Sequence, residues 1–128
     1  MADKLKKNGE LDVWKKSVDM VVSIYELSKT FPASEKFGLT SQIQRAAVSI
    51  PANIAEGYGR SHRREYMQHV SIARGSLAEL ETHLIIAVKL GYVSRDESKI
   101  VWNLAQIVGK MLIRLSQSLS TTNSNVSV

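Results

Sequence analysis

The sequence has no cysteine, only two prolines and no long apolar run. The absence of cysteine excludes disulfide bonds and thiolate metal sites, and it fits a reducing compartment. The longest apolar run is five residues, 84–88, whereas a helix that spans a membrane needs about 20. The first twelve residues also lack the apolar core of a signal peptide. We therefore expect a cytoplasmic protein with no membrane partner.

No residue pattern in the chain predicts catalysis or a cofactor. A dinuclear iron site in a helical bundle needs Glu-x-x-His pairs, and none of the three histidines lies three residues after a glutamate. The sequence also lacks the His-Glu-x-x-His zinc motif and the Walker phosphate-binding loop. We therefore expect no metal, no cofactor and no enzymatic activity.

The charge balance is mildly basic. The chain has 17 Lys and Arg against 12 Asp and Glu, for a net charge of +5. Such a charge permits contact with a polyanion but does not require it. With 128 residues, of which 44% are hydrophobic, the chain can form one domain with its own core. We divide it into a flexible basic arm over residues 1–9, a helical bundle over residues 10–120 and a disordered Ser/Thr/Asn-rich tail over residues 121–128.

Apolar residues that recur every three or four positions predict four helices. The first covers residues 11–31 and stops at Pro32, whose ring cannot continue a helix. It has two apolar stripes, which exceeds the usual apolar arc, so we expect one stripe to face the core and the other a partner subunit. The alternative is a single wide core face with a few exposed apolar residues. The two stripes are Leu11, Trp14, Val18, Val21, Val22 and Tyr25, and Val13, Met20, Ile24, Leu27 and Phe31.

The second and third predicted helices cover residues 39–57 and 61–91. Thr40 or Ser41 can cap the second helix, Gly57 can end it, and Ser61 can cap the third. Gly75 in the middle of the third helix costs about 1 kcal/mol relative to alanine, so we expect a packing reason for it. The core stripes are Leu39, Ile43, Ala46, Ala47, Ile50 and Ile54 in the second helix, and Tyr66, Val70, Ala73, Leu77, Leu80, Leu84 and Ala87 in the third.

The fourth predicted helix starts with a capping box, Ser94 and Glu97, and extends to Leu119. Short links between four helices favour an all-α, up-down-up-down antiparallel four-helix bundle. The apolar faces are wider than one bundle core needs, so we also predict a homo-oligomer. The core stripe of this helix is Val101, Leu104, Val108, Leu112, Leu115 and Leu119, widened by Ile100, Ile107 and Met111.

Basic residues gather where the second helix ends and the third begins. Cations in the first turn of a helix oppose its dipole, whereas the free N–H groups there attract anions. An anionic partner therefore explains His62, Arg63 and Arg64 better than helix stability does. The alternative is that the two arginines pair with glutamates or point into water. The candidate nucleic-acid contacts are Arg45, Arg60, His62, Arg63, Arg64 and Arg74.

A polar edge runs along the second helix. Ser49, Asn53 and Glu56 are spaced by four and three residues among apolar neighbours. This edge is either solvated or part of a network between helices, and the apolar neighbours favour the network. The predicted structural polar network consists of Ser49, Asn53, Glu56, Ser76 and Glu79.

Arg64 and His69 form an Arg-x4-His pattern that is similar to the signature of the all-helical HEPN ribonucleases. That similarity implies a pair that positions and protonates an RNA phosphate. Short patterns of this kind arise often by chance, and a lone helical histidine is more often a surface residue than a catalyst. We keep a ribonuclease as an alternative hypothesis.

Two stretches, QIQRAAVSIPANIAEGYGR over residues 42–60 and IARGSLAELETHLIIAVKLGY over residues 72–92, resemble one family. They look like the four-helix bundle proteins encoded in intervening sequences of 23S ribosomal RNA genes, and the resemblance covers residues 11–119. It implies a ring-shaped homo-oligomer, a pentamer, whose role is inferred to be RNA binding. The accessory variability determinants of diversity-generating retroelements are similar, and they bind nucleic acid and a reverse transcriptase. The family's recurrent polar positions correspond to Gln42, Arg45, Ser49, Asn53, Glu56, Arg60, Ser76, Glu79 and Glu81.

These observations lead to one main function hypothesis and two alternatives. The main hypothesis is a non-catalytic, oligomeric protein that associates with RNA or DNA through the basic cluster. The first alternative is a protein-interaction adaptor without nucleic-acid binding, for example for a polymerase-type partner. The second is a ribonuclease that uses Arg64 and His69.

Overall fold

The computed structural model describes the backbone of residues 9–126 and the side chains of residues 9–120. Four α-helices account for most of this part, which contains no strand, so the predicted all-α class is confirmed. A short 3-10 helix, Ala33–Glu35, precedes the second of them. The expected basic arm lies outside the described residues except for Gly9. The helices are α1 (Glu10–Ser28), α2 (Leu39–Tyr58), α3 (Arg63–Lys89) and α4 (Arg95–Val126).

Helix α1 has one core-facing apolar stripe and a second stripe that is partly exposed. Met20 and Ile24 are fully buried, whereas Val22 is 59% exposed and Tyr25 is 42% exposed. What covers the second stripe in solution stays a prediction. The helix ends at Ser28, three residues earlier than predicted. The N–H groups of residues 29–31 instead bond to carbonyls three residues earlier, as in a 3-10 turn, before Pro32.

Helices α2 and α3 pack closely because small residues lie between them. A Cβ atom at Gly57 would lie only 2.8 Å from His69 Cβ and 3.0 Å from Tyr66 Cδ1. Gly57 therefore permits close packing inside α2 and does not end the helix, which corrects the sequence prediction. Nothing lies within 4 Å of a Cβ placed at Gly75, so no close packing inside one chain requires a glycine there. The expectation of a packing reason was therefore wrong within a single chain. All seven residues of the predicted α3 stripe are buried.

The starts of α2 and α3 differ from the sequence prediction. The carboxylate of Glu35 accepts a hydrogen bond of 2.9 Å from the N–H of Leu39, the first residue of α2. Thr40 and Ser41 therefore lie inside the helix and do not cap it. Helix α3 begins at Arg63, after an extended residue whose side chain makes no capping hydrogen bond. The N-cap is the residue directly before the first turn, which here is His62. The predicted cap, Ser61, lies one position too early to cap the helix.

Helix α4 begins with the predicted capping box and is longer than predicted. Ser94 Oγ accepts the Glu97 N–H at 3.0 Å, and the Glu97 carboxylate accepts the Ser94 N–H at 2.8 Å. The helix continues to Val126, so most of the segment expected to be disordered is helical here. Residues 121–126 contain neither glycine nor proline, the two residues that most disfavour a helix. Residues 127–128 lie outside the description.

The core face of α4 is narrower than predicted. Val101, Val108, Leu112, Leu115 and Leu119 are buried, with Ala105 among them. Ile100 and Ile107 were expected to widen this face but are 70% and 43% exposed.

All four helices contribute to one apolar core. Helix α1 packs against α2 and α4, and α3 packs against the same two helices. Within the described residues, no helix combines the length and the hydropathy needed to cross a membrane. This arrangement leaves the α2–α3 connection, with its basic residues, at one end of the helices.

Candidate functional site

The α2–α3 connection carries four basic residues within five positions. The Arg60 guanidinium lies 2.7 Å from Glu56 Oε1 and 4.0 Å from Glu65 Oε2. All three side chains are 42–55% exposed, and an ion pair this exposed contributes about 0–1 kcal/mol. Arg60 is therefore weakly held and can exchange its carboxylate partners for a phosphate.

Arg63 and Arg64 are neighbours in the sequence but line different surfaces. Arg63 is half-buried beside His62, and the two line a cleft of about 240 Å³ together with Arg60. Arg64 is exposed and lines a separate depression with Gln68. Among the described residues no carboxylate forms an ion pair with either arginine. Within residues 9–120 the pairing of both arginines with glutamates is therefore not seen, and the other half of that alternative, in which they point into water, stays open.

The floor of the cleft contains a buried hydrogen bond between distant parts of the chain. Tyr66 Oη donates to Glu10 Oε1 at 2.8 Å, which ties the start of α1 to the first turns of α3. Burial, followed by the hydrogen bond to Glu10, raises the pKa of Tyr66 well above its usual range. The phenol therefore stays protonated at all ordinary pH values and fixes the orientation of the basic turn.

The other two candidate contacts lie away from this cluster. Arg45 lies on α2, thirteen residues or about 20 Å before the last residue of that helix, and Arg60 lies two residues beyond the helix end. Arg45 lines a different pocket with Glu79 and His83. Arg74 is exposed and lies ten residues beyond Arg64, about 15 Å further along α3. Arg60, His62 and Arg63 thus line one cleft, Arg64 lies beside it on a separate surface, and Arg45 and Arg74 lie further away.

A polar network joins α2 and α3 in their middle. Ser49 Oγ and Ser76 Oγ are 2.8 Å apart, and the Asn53 amide donates to Ser49 Oγ at 3.0 Å and to the Ser49 carbonyl at 2.8 Å. Asn53 Oδ1 then accepts a hydrogen bond from His69 Nδ1 at 2.9 Å. Glu56 takes no part in this chain of hydrogen bonds, because Arg60 holds it at the end of α2.

The Arg64 and His69 side chains do not converge. Five residues correspond to a rotation of about 140° around a helix. His69 faces α2 through its bond to Asn53, whereas Arg64 faces solvent with Gln68. Within one chain, Arg64 and His69 therefore do not face a common point at which both could contact the same RNA phosphate. The described part of the chain also contains no group of three His, Cys, Asp or Glu residues placed to hold a metal.

A family model described as "23S rRNA-intervening sequence protein" matches residues 9–114. The chain belongs to this family. It is also similar to a protein of unknown function from the S23 ribosomal protein family of Bacteroides thetaiotaomicron, whose crystal structure is known. The two share 28% sequence identity over 81% of this chain and 97% of that one, with a TM-score of 0.75. No curated protein gives a significant match.

The family resemblance seen in the sequence is thus confirmed, while the similarity to the accessory variability determinants stays a prediction. In this member of the 23S rRNA-intervening sequence family, two contacts of the candidate site were missed from sequence. His69 belongs to the polar network, and Glu10 supports the basic turn. The spacing Gly57-x11-His69 carries no local signal of a contact, so only the packing of α2 on α3 could reveal it.

Proposed function

We propose that this protein is a non-catalytic nucleic-acid-associated protein that contacts phosphates through Arg60, His62, Arg63 and Arg64. The observation that carries the proposal is the absence of a carboxylate partner for Arg63 and Arg64 in the described chain. Both residues lie in the first turn of α3, where their charge opposes the helix dipole. A phosphate at this position would relieve that repulsion and accept hydrogen bonds from the free N–H groups of the turn.

The name of the family supports an RNA ligand in particular. The family that matches the chain is named after an intervening sequence of 23S ribosomal RNA, and the solved relative belongs to an S23 ribosomal protein family. Neither description states what these proteins bind. Ribosomal RNA is therefore the first ligand to test.

The proposal includes an antiparallel order of the helices. On α2 and α3, Ser49 pairs with Ser76 and Asn53 pairs with His69, so residue numbers rise on one helix as they fall on the other. The short connections at residues 59–62 and 90–94 favour the same order.

The proposal also includes a homo-oligomer, with a pentameric ring as the specific form. Its support is the number of exposed apolar side chains on several helices, which a monomer would leave in water. A ring would repeat the basic cluster and raise the avidity of weak contacts. Sedimentation velocity would measure the subunit number. The exposed apolar side chains include Val22, Tyr25, Val48, Ile72, Ile100 and Ile113.

Fluorescence anisotropy of a labelled 23S rRNA fragment, measured across a salt series, tests the proposed contacts. We expect Arg60→Ala, Arg63→Ala and Arg64→Ala together to weaken binding. The log–log salt slope should flatten by about 0.7 to 0.9 for each phosphate that the variant no longer neutralises. Unchanged affinity in this triple variant would disprove the assignment of the site.

A matched control removes three exposed lysines elsewhere, Lys15, Lys36 and Lys110. It has the same net charge as the arginine variant, so an equal loss of affinity in both would indicate attraction by overall charge and no defined site. Cleavage of the RNA that disappears in His69→Ala would instead support the ribonuclease alternative.

A further inference from the structure

A groove lies between the end of α3 and the start of α4, away from the basic α2–α3 connection. It has a volume of about 810 Å³, which is within the range of about 300–1,000 Å³ for ligand sites. Its walls are aliphatic on the α3 side, where they are formed by Leu84, Ile85 and Val88. On the α4 side the half-buried Trp102 packs against the core and contributes the only aromatic ring of the lining.

Three cations surround this apolar surface. Lys89 ends α3, and Arg95 and Lys99 lie on the first turns of α4, in line with Trp102. Positions 95, 99 and 102 follow the spacing that brings helical residues onto one face. The lining contains no carboxylate. The groove therefore complements a ligand that is negatively charged and carries a flat apolar group.

The nearby carboxylates do not cancel this charge. Asp96 lies 3.3 Å from Lys99, but both side chains are at least 67% exposed, so the pair is weak. Glu97 is occupied by the capping box with Ser94. The Glu81 carboxylate, one turn before the groove on α3, accepts a hydrogen bond from Gln106.

We propose that this groove binds single-stranded nucleic acid, with one base stacked on Trp102 and the adjoining phosphates held by Lys89, Arg95 and Lys99. Proteins that bind single strands combine cations along the backbone with aromatic rings on which bases stack. The inference rests on the proposed nucleic-acid association and adds a second contact surface to it. A duplex would not fill the groove, since its bases are already stacked on each other.

The two tryptophans of the chain allow a direct test. In a Trp14→Phe background, Trp102 is the only tryptophan and reports stacking through its emission. We expect single-stranded oligoadenylate to quench this emission, and the duplex of oligoadenylate with oligouridylate to leave it unchanged. In parallel, Trp102→Leu keeps an apolar wall but removes the ring. It should weaken single-strand binding, measured by anisotropy, by about five- to 150-fold.

A second variant keeps the test independent of Trp102 packing. Lys89→Gln with Arg95→Gln changes only exposed side chains and should flatten the salt slope by about 1.4 for two phosphate contacts. Lys110→Gln with Arg114→Gln removes the same charge from exposed positions further along α4 and should leave the slope nearly unchanged.

The outcomes separate this inference from the proposed function. Oligoadenylate binding that leaves Trp102 emission unchanged would overturn the groove and leave nucleic-acid association intact. Quenching that persists in the Arg60, Arg63 and Arg64 triple variant would support the groove even if the α2–α3 cluster fails. An emission change with polyglutamate but none with oligoadenylate would overturn the inference in favour of an acidic peptide.

Discussion

Replacing Gly57 by alanine tests the close packing of α2 on α3, which positions the basic connection. The new Cβ would lie 2.8 Å from His69 Cβ, 3.0 Å from Tyr66 Cδ1 and 3.3 Å from the Tyr66 carbonyl oxygen. A Cβ and a backbone oxygen cannot rotate away, so the two helices must move apart. Overpacking of this kind costs about 1–3 kcal/mol, and alanine regains about 1 kcal/mol of helix propensity. The difference of these two effects is a decrease in the free energy of unfolding of up to about 2 kcal/mol.

Gly75→Ala is the matched control, because it is the same substitution on the neighbouring helix. No atom lies within 4 Å of a Cβ at this position, and the residue is exposed. Only the helix propensity changes, so we expect the free energy of unfolding to rise by about 0.5–1 kcal/mol. Urea unfolding followed by circular dichroism gives this free energy for both variants.

The two substitutions should therefore change the free energy of unfolding in opposite directions. A Gly57→Ala protein that gains as much stability as Gly75→Ala does would refute the close contact. A loss of stability in Gly75→Ala would refute the assignment of that residue to open solvent and would indicate that another subunit covers it.

Two further predictions concern side chains that connect the helices. Asn53→Ala should lower the free energy of unfolding by about 1–3 kcal/mol, because it leaves the half-buried His69 Nδ1–H without its acceptor and removes one of the two hydrogen bonds of Ser49 Oγ; urea unfolding measures this change. The Leu39 N–H and then the Tyr92 hydroxyl lower the pKa of Glu35. The stabilisation by this carboxylate is therefore complete above the unfolded-state pKa of about 4.3 and is lost as the pH falls through the lower folded-state pKa. Urea midpoints between neutral and acidic pH should decrease in the wild type, and less steeply in Glu35→Gln.

Each of these predictions has its own control. Asn53→Asp keeps an acceptor for His69 but removes the amide donor, so it should destabilise the protein less than the alanine variant does. Equal stability of Asn53→Ala and the wild type would contradict the network. For Glu35, Tyr92→Phe removes one of the two donors and should make the acid dependence intermediate. Identical pH profiles in wild type and Glu35→Gln would rule out the carboxylate as a source of that dependence.

The candidate site was only partly predictable from sequence. The clustering of His62, Arg63 and Arg64 is a local property, because consecutive residues in the first turn of a helix stay together however the helix packs. Their unpaired state depends on which carboxylates lie nearby. Arg45 illustrates the limit, since the charge alone suggested a common surface, whereas the rise of α2 places Arg45 about 20 Å before the end of the helix that Arg60 follows.

The sequence alone determined the helices, most of the core and the family. The α3 stripe is buried as predicted because a period of 3.6 residues places its members on one face in any helix. The Ser94–Glu97 capping box likewise involves only neighbouring residues. The tertiary structure alone decided the Gly57 contact and the groove around Trp102. These features join residues of different helices, and their existence depends on how closely the helices pack, which no local pattern encodes.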